Sequence, residues 1–178
     1  MEDKILVWKL RRGRREAMAR IYGKYESMLL TIAASILGDI AGAEDIVHDV
    51  FMSVAQSPDK IRLDGNLKNF LAISVSSRAK DRLRGRRATR PLEQVEFLSP
   101  VTQQPEVVAS QAEHLHLAWS ALAQLPAEQR EVLVLHLIAG LKFRQIASNL
   151  GVSINTAQSR YRYGLTKLRA LLNGELER

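Results

Sequence analysis

The chain has 178 residues, 46% of them apolar and 25% charged, which is the profile of a globular protein with enough side-chain volume to build a core and argues against disorder. Cysteine is absent, which excludes disulfides, thiolate metal sites and cysteine nucleophiles together. The formal charge of +7 favours a polyanionic partner, nucleic acid or an anionic membrane surface.

The charge is unevenly spread. Residues 1–90 carry 18 Lys/Arg against 11 Asp/Glu, residues 91–119 carry none against 4, and residues 120–178 carry 8 against 4. Two basic blocks therefore flank an acidic stretch, and a nucleic-acid reading calls for two separate surfaces. The opening MEDKILVWKLRRGRRE is too short in apolar residues for a signal peptide, and no later run approaches the ~18 residues of a membrane span. A cytoplasmic protein without membrane insertion is expected.

Apolar residues recur at spacings of three and four in almost every window, and strand signals are nearly absent, so the expected fold class is all-α. Ala17, Ile21, Tyr25, Met28, Leu29, Ile32, Ile36 and Leu37 trace one face of a helix from about Arg15 to Leu37, which Gly38 ends. Ala43, Ile46, Val47, Val50, Phe51 and Val54 form the stripe of a second helix from about Ala41 to Ala55, closed by Ser57-Pro58. After a polar loop, a third helix from about Asn66 buries Leu67, Phe70, Leu71, Ile73 or Ser74, and Val75. It then turns basic through Arg78, Lys80, Arg82, Arg84, Arg86 and Arg87.

Residues 88 to about 110 hold Pro91, Pro100 and Pro105 with no convincing period, the pattern of an extended linker. The organisation expected is a domain over 1–90, a linker over 91–112 and a second helical domain over 113–178. In the latter the helical pattern resumes from Gln111, Pro126 starts a helix that Gly140 stops, and two shorter helices follow.

The segment FRQIASNLGVSINTAQSRYRYGLTKLR, Phe143 to Arg169, has the spacing of a tri-helical DNA reader. Ala147 is small where two helices cross, Gly151 falls where the turn needs a left-handed backbone, and Ser153 can cap the next helix. Ala157, Tyr161, Leu165, Leu168 and Leu172 share the packed face of that helix. Asn155, Gln158, Ser159, Arg162 and Tyr163 point outward, and Asn and Gln suit adenine while Arg suits guanine. Arg160, Lys167 and Arg169 fit phosphates. An ordinary amphipathic helix with surface polar groups is the plainer account of the same spacing.

LPAEQREVLVLHLIAGLKFRQIASNLGVSINTAQSRYRYGLTKLRALL resembles region 4 of the extracytoplasmic-function (ECF) sigma factors, the domain that reads the minus-35 promoter element. ILGDIAGAEDIVHDVFMSVAQ resembles the region 2 helix that docks on the polymerase clamp, and NLKNFLAISVSSRAKDRLRGRR resembles the helix that engages the minus-10 element. The resemblance covers about residues 10 to 172. It implies two helical domains joined by an extended linker, no catalytic activity, no cofactor, and core RNA polymerase and promoter DNA as partners. An anti-sigma factor is common in the family.

By residue, the resemblance assigns minus-35 contacts to Asn155, Thr156, Gln158, Ser159, Arg160, Arg162 and Tyr163. It assigns minus-10 contacts to Lys60, Arg62 and Asn66 in the loop and to Ser77, Arg78, Asp81 and Arg82 on the helix. Asp45, His48 and Asp49 fall to the polymerase clamp. An extruded base needs polar groups for its Watson-Crick edge and basic groups for nearby phosphates, and this stretch offers both. Four positions depart from the family's usual residues: Ser77 for Asn, Phe70 for Trp, His48 for Gln and Ala157 for a β-branched residue. Arg78 stands where an apolar residue is usual. The first of these bears on minus-10 base preference.

Three other readings compete. A metal-dependent enzyme built on Glu44, Asp45, His48 and Asp49 would use their i,i+4 spacing, but no phosphate loop or nucleophile motif accompanies them. A helix-turn-helix regulator acting without being a polymerase subunit would bind duplex sites unaided, as a dimer on paired half-sites. A sigma-like protein that binds polymerase without opening promoters is the third.

Overall fold

In a computed structural model that describes residues 2–61, 66–89 and 117–176, every regular element is helical. The expected linker and Arg62 lie outside the described residues. The first block comprises α1 (Glu2–Arg11), α2 (Arg15–Leu37), α3 (Ile40–Gln56), a 3-10 turn (Pro58–Lys60) and α4 (Leu67–Thr89). The second comprises α5 (residues 117–123), α6 (Ala127–Leu137), α7 (Phe143–Leu150) and α8 (Ile154–Leu176).

The helix boundaries follow from local chemistry. Gly38 takes the left-handed conformation, φ 71°, and its N–H donates to the Ala34 carbonyl at 2.8 Å, closing α2. Asp39 then opens α3, its carboxylate accepting from the Gly42 N–H at 3.2 Å. Asn66 does the same for α4 through the Asn69 N–H at 2.8 Å.

Three features differ from the sequence reading. Helix α1 was not expected, because Ile5, Leu6, Val7, Trp8 and Leu10 crowd together without a clear three-and-four rhythm. The helix forms by burying Leu6, Val7 and Leu10 against the bundle. A polar network ties it to α2: Lys24 Nζ donates to Glu2 at 2.7 Å and to Asp3 at 2.8 Å, and the Tyr25 hydroxyl donates to Asp3 at 2.7 Å. Burial works against the Asp3 carboxylate, but the hydrogen bonds from Lys24 and Tyr25 outweigh it and hold its pKa below the ordinary value. Burial and the Asp3 charge push Tyr25 up to about 12.

The second difference lies in the loop after α3, expected to be polar throughout. Ile61 is 2% exposed and belongs to the core, anchoring the loop from within. Helix α6 also stops at Leu137, three residues short of Gly140, whose φ of 71° turns the chain toward α7.

The core of the first block runs through Ile21, Leu29 and Ile32 of α2, Val50 of α3 and Leu67 and Leu71 of α4, all fully buried. The second block closes around Leu133 and Leu135 of α6, Leu141 and Ile146. The two blocks meet: α6 packs on α2 and α4. Glu131 of α6, its side chain 5% exposed, accepts from the Ser76 hydroxyl at 2.8 Å and from Lys80 Nζ at 3.1 Å, both on α4. Beside it, Arg130 donates to the Ile36 carbonyl of α2 at 2.9 Å. Carbonyls near the end of α2 have no intrahelical partner, so this guanidinium satisfies one of them across the interface.

Candidate nucleic-acid interface

The reader unit of α7 and α8 is built around three rings. His136 stacks on Phe143 at 4.4 Å, and Tyr161 meets both edge-on at 4.9 and 5.3 Å. His136 Nδ1 lies 2.8 Å from the Leu141 carbonyl, so this histidine is a core member and not a ligand. Gly151 has φ 65° and ends α7, and the Val152 N–H donates to the Ala147 carbonyl at 3.0 Å. Ser153 Oγ accepts from the Thr156 N–H at 3.0 Å and caps α8. Ala147 and Ala157 are buried where the helices cross.

Asn155, Gln158, Arg162 and Tyr163 are exposed along α8, and Ser159 is half-buried. Tyr163 is 58% exposed and Arg162 lies over its ring at 5.3 Å. Two expected contacts are otherwise engaged. The Thr156 hydroxyl sits 2.8 Å from Ser153 Oγ as part of the cap, and Arg160 is ion-paired with Glu128 of α6. Gly164, unremarked in the sequence, is buried: a Cβ there would lie 2.9 Å from Leu133 Cδ1 and 3.1 Å from Gln129 Cβ. Its missing side chain sets the close crossing of α6 and α8.

In the first block, Lys60 and Asn66 are exposed on either side of the loop, and Ser77 and Arg78 are half-buried on α4. Asp81 is exposed and lies 3.7 Å from Arg84. The acidic residues assigned to the clamp and the basic residues assigned to the minus-10 strand are paired with one another. Arg82 donates to Asp45 at 3.0 Å, and Arg78 lies 4.0 Å from Asp49. These contacts arise because α3 and α4 pack side by side with both charged faces at one rim. They also give Arg78 a role the sequence left unexplained: it partly neutralises α3. Glu44, Asp45, His48, Asp49 and Arg82 line one shallow depression there. No group of three or more His, Asp and Glu among the described residues is placed to hold a metal ion.

One residue of the site escaped the sequence reading. Arg11, at the end of α1, donates to the Ile61 carbonyl at 3.0 Å and to the Pro58 carbonyl at 3.4 Å. It thereby fixes the segment that leads into the loop before α4.

Residues 21–89 match the Sigma-70 region 2 family and residues 115–168 match Sigma-70, region 4. The chain belongs to the ECF sigma factors. It is 28% identical over 160 residues to the ECF RNA polymerase sigma factor SigL of Mycobacterium tuberculosis, covering 87% of this chain and 88% of SigL. It is also 28% identical over 170 residues to the probable RNA polymerase sigma factor RfaY of Xanthomonas campestris pv. campestris; that match covers 92% of this chain but 41% of RfaY. The fold is similar to that of CnrH, a sigma factor of Cupriavidus metallidurans solved in complex with the cytosolic domain of CnrY. The TM-score is 0.71 at 21% identity, with 98% of this chain and 99% of that chain covered. As an ECF sigma factor the chain carries the two-domain helical architecture of that group, and no helix among its described residues is long and apolar enough to cross a membrane.

Proposed function

We propose that this sigma factor reads promoters through two surfaces: residues 1–90 take the polymerase clamp and the unpaired minus-10 strand, and residues 113–178 dock on the minus-35 duplex. The observation that carries the reading is the outward row Asn155, Gln158 and Arg162 on the capped helix α8. Amide side chains pair in two places with adenine and guanidinium with guanine in the major groove, each good pair worth about 1–3 kcal/mol of discrimination. Ser159 and Tyr163 flank this row and suit base edges or phosphates.

On the first block, we assign the unpaired minus-10 strand to Lys60, Arg62 and Asn66 at the loop and to Ser77, about three turns further along α4. Arg78, Asp81 and Arg82 extend this surface along α4. Asp45, His48 and Asp49 form the clamp contact, and the exchange of partners at this rim is the natural coupling: a basic polymerase element that takes Asp45 and Asp49 releases Arg82 and Arg78 toward phosphate. The protein contributes no catalytic group and works in the cytoplasm, and phosphodiester chemistry stays with the core enzyme. An anti-sigma factor is the expected regulator, in keeping with the complex of CnrH with the cytosolic domain of CnrY.

Transcription in vitro with purified core polymerase on a promoter library tests this reading. Selective initiation from a minus-35/minus-10 pair is the expected result. Specific duplex binding without affinity for core enzyme would return the protein to the class of independent helix-turn-helix regulators.

A further inference from the structure

The turn that joins α1 to α2 carries a feature the two-surface reading leaves unused. Lys9, Arg11, Arg12, Arg14 and Arg15 are all exposed within seven residues, with no acidic residue among them. On the same helix end Trp8 is 52% exposed, and the Arg12 guanidinium lies 3.9 Å from its ring centre. An indole on the surface loses the burial that stabilises most tryptophans, so its exposure asks for a partner.

The charges are not used up locally. Among the described residues, Arg11 is the one of the five with side-chain hydrogen bonds or an ion pair, to the Pro58 and Ile61 carbonyls and 3.9 Å from Asp59. Those same contacts place the turn directly beside the segment entering the loop before α4. Glu16 is the nearest acidic neighbour in sequence.

We propose that Trp8 and the basic turn Lys9–Arg15 form a platform for single-stranded DNA, taking unpaired promoter bases that lie beyond those held by the minus-10 surface. The inference rests on the reading of the first block as that surface and adds a third contact to it. An aromatic face backed by a guanidinium stacks any base, and the flanking arginines meet the phosphates on either side. That combination binds single strands without reading sequence. Continuity decides for DNA over other polyanions: the platform shares Arg11 with the loop segment that would hold the neighbouring nucleotide.

The test uses holoenzyme assembled with core polymerase and two fork templates carrying a promoter selected from a library. In one, only the minus-10 non-template bases are unpaired; in the other, the single strand extends several nucleotides on both sides. Trp8→Ala is expected to weaken binding to the extended template roughly 5- to 150-fold, the range for losing one stacked base, and to leave the short template unchanged. Trp8→Phe restores most of the loss. Arg14→Ala and Arg15→Ala should each lower the salt slope on the extended template by about 0.7.

Equal affinity of Trp8→Ala and the parent on both templates overturns the proposal. So does an equal loss on both, which would make Trp8 a support of the loop, and so does weakened core assembly, which would make the turn a polymerase contact. A photo-reactive Trp8→benzoylphenylalanine substitution reads the same question directly: crosslinks to DNA support the platform, and crosslinks only to a polymerase subunit, or to lipid in anionic vesicles, refute it. Failure of the parent holoenzyme to prefer the minus-10 sequence over a scrambled fork sinks the minus-10 reading instead, and the crosslink still reports on Trp8.

Discussion

Glu128 decides what Arg160 is free to do. The two are ion-paired, with the Arg160 side chain 23% exposed, so a phosphate has to displace a carboxylate before this arginine contributes to duplex binding. Among the described residues Arg162 has no carboxylate partner, and it lies open to solvent. Arg162→Ala is therefore expected to weaken minus-35 binding by about 1–3 kcal/mol and to relax discrimination at one base pair, with the log-log salt slope nearly unchanged in a titration from low to moderate salt. Glu128→Ala is expected to act in the opposite direction, strengthening binding and steepening the slope. An unchanged slope in that variant would leave Arg160 as a strut between α6 and α8.

At the level of elements, the sequence told most about the helices with a clean apolar stripe and a punctuating residue. Gly38, Asp39, Gly151 and Ser153 each do what their side chains or lack of one dictate, and α2, α3, α7 and α8 follow. Helix α1 was hidden because its apolar residues are contiguous, and Arg11 because its partners are 47 and 50 residues away. Gly164 was passed over for a related reason. A glycine inside a helix reads as a mild weakness until the neighbouring helix is seen against it. Spacing placed the outward row of α8 correctly, yet no spacing rule foretells that Thr156 and Arg160 find partners inside the protein.

Two tests belong to these elements. Gly164→Val places a branched side chain where even a Cβ is 2.9 Å from Leu133, and overpacking of this kind costs typically 1–3 kcal/mol. Thermal unfolding should move to lower temperature, with minus-35 affinity falling as the α6–α8 crossing widens. The attachment of α1 should depend on pH at both extremes. Asp3 titrates below its ordinary 3.8, so its contribution is complete above that pH and disappears as the pH falls through the lower folded value. Tyr25 is raised from 10.0 to about 12, so its share is complete below 10 and is lost as the pH climbs through about 12. Hydrogen exchange along α1 should accelerate at both ends, and Asp3→Asn should remove the acid limb.

Over the whole molecule, the contact between α6 and the first block sets a conflict with DNA. A folded chain of 178 residues has a radius of gyration of about 16 Å, hence a breadth of roughly 40 Å. Promoter elements centred about 25 base pairs apart lie roughly 85 Å apart along straight DNA at about 3.4 Å per step. The blocks must therefore part for both elements to be held at once. The join is polar where it matters: Glu131 is sealed between Ser76 and Lys80, and reversing its sign confronts Lys80 with a like charge in a buried setting. Glu131→Lys should raise the radius of gyration measured by small-angle X-ray scattering of the free protein, while each block keeps its own helix content. An unaltered scattering curve would mean that apolar contact alone holds the blocks together.

On the two-surface reading, that sealed carboxylate bears on which DNA opens the molecule. A fragment with a single element can be held by the closed chain, so the cost of freeing Glu131 from its two donors falls only on DNA that engages both blocks. Correctly spaced elements repay it with two sets of contacts, and misplaced ones do not.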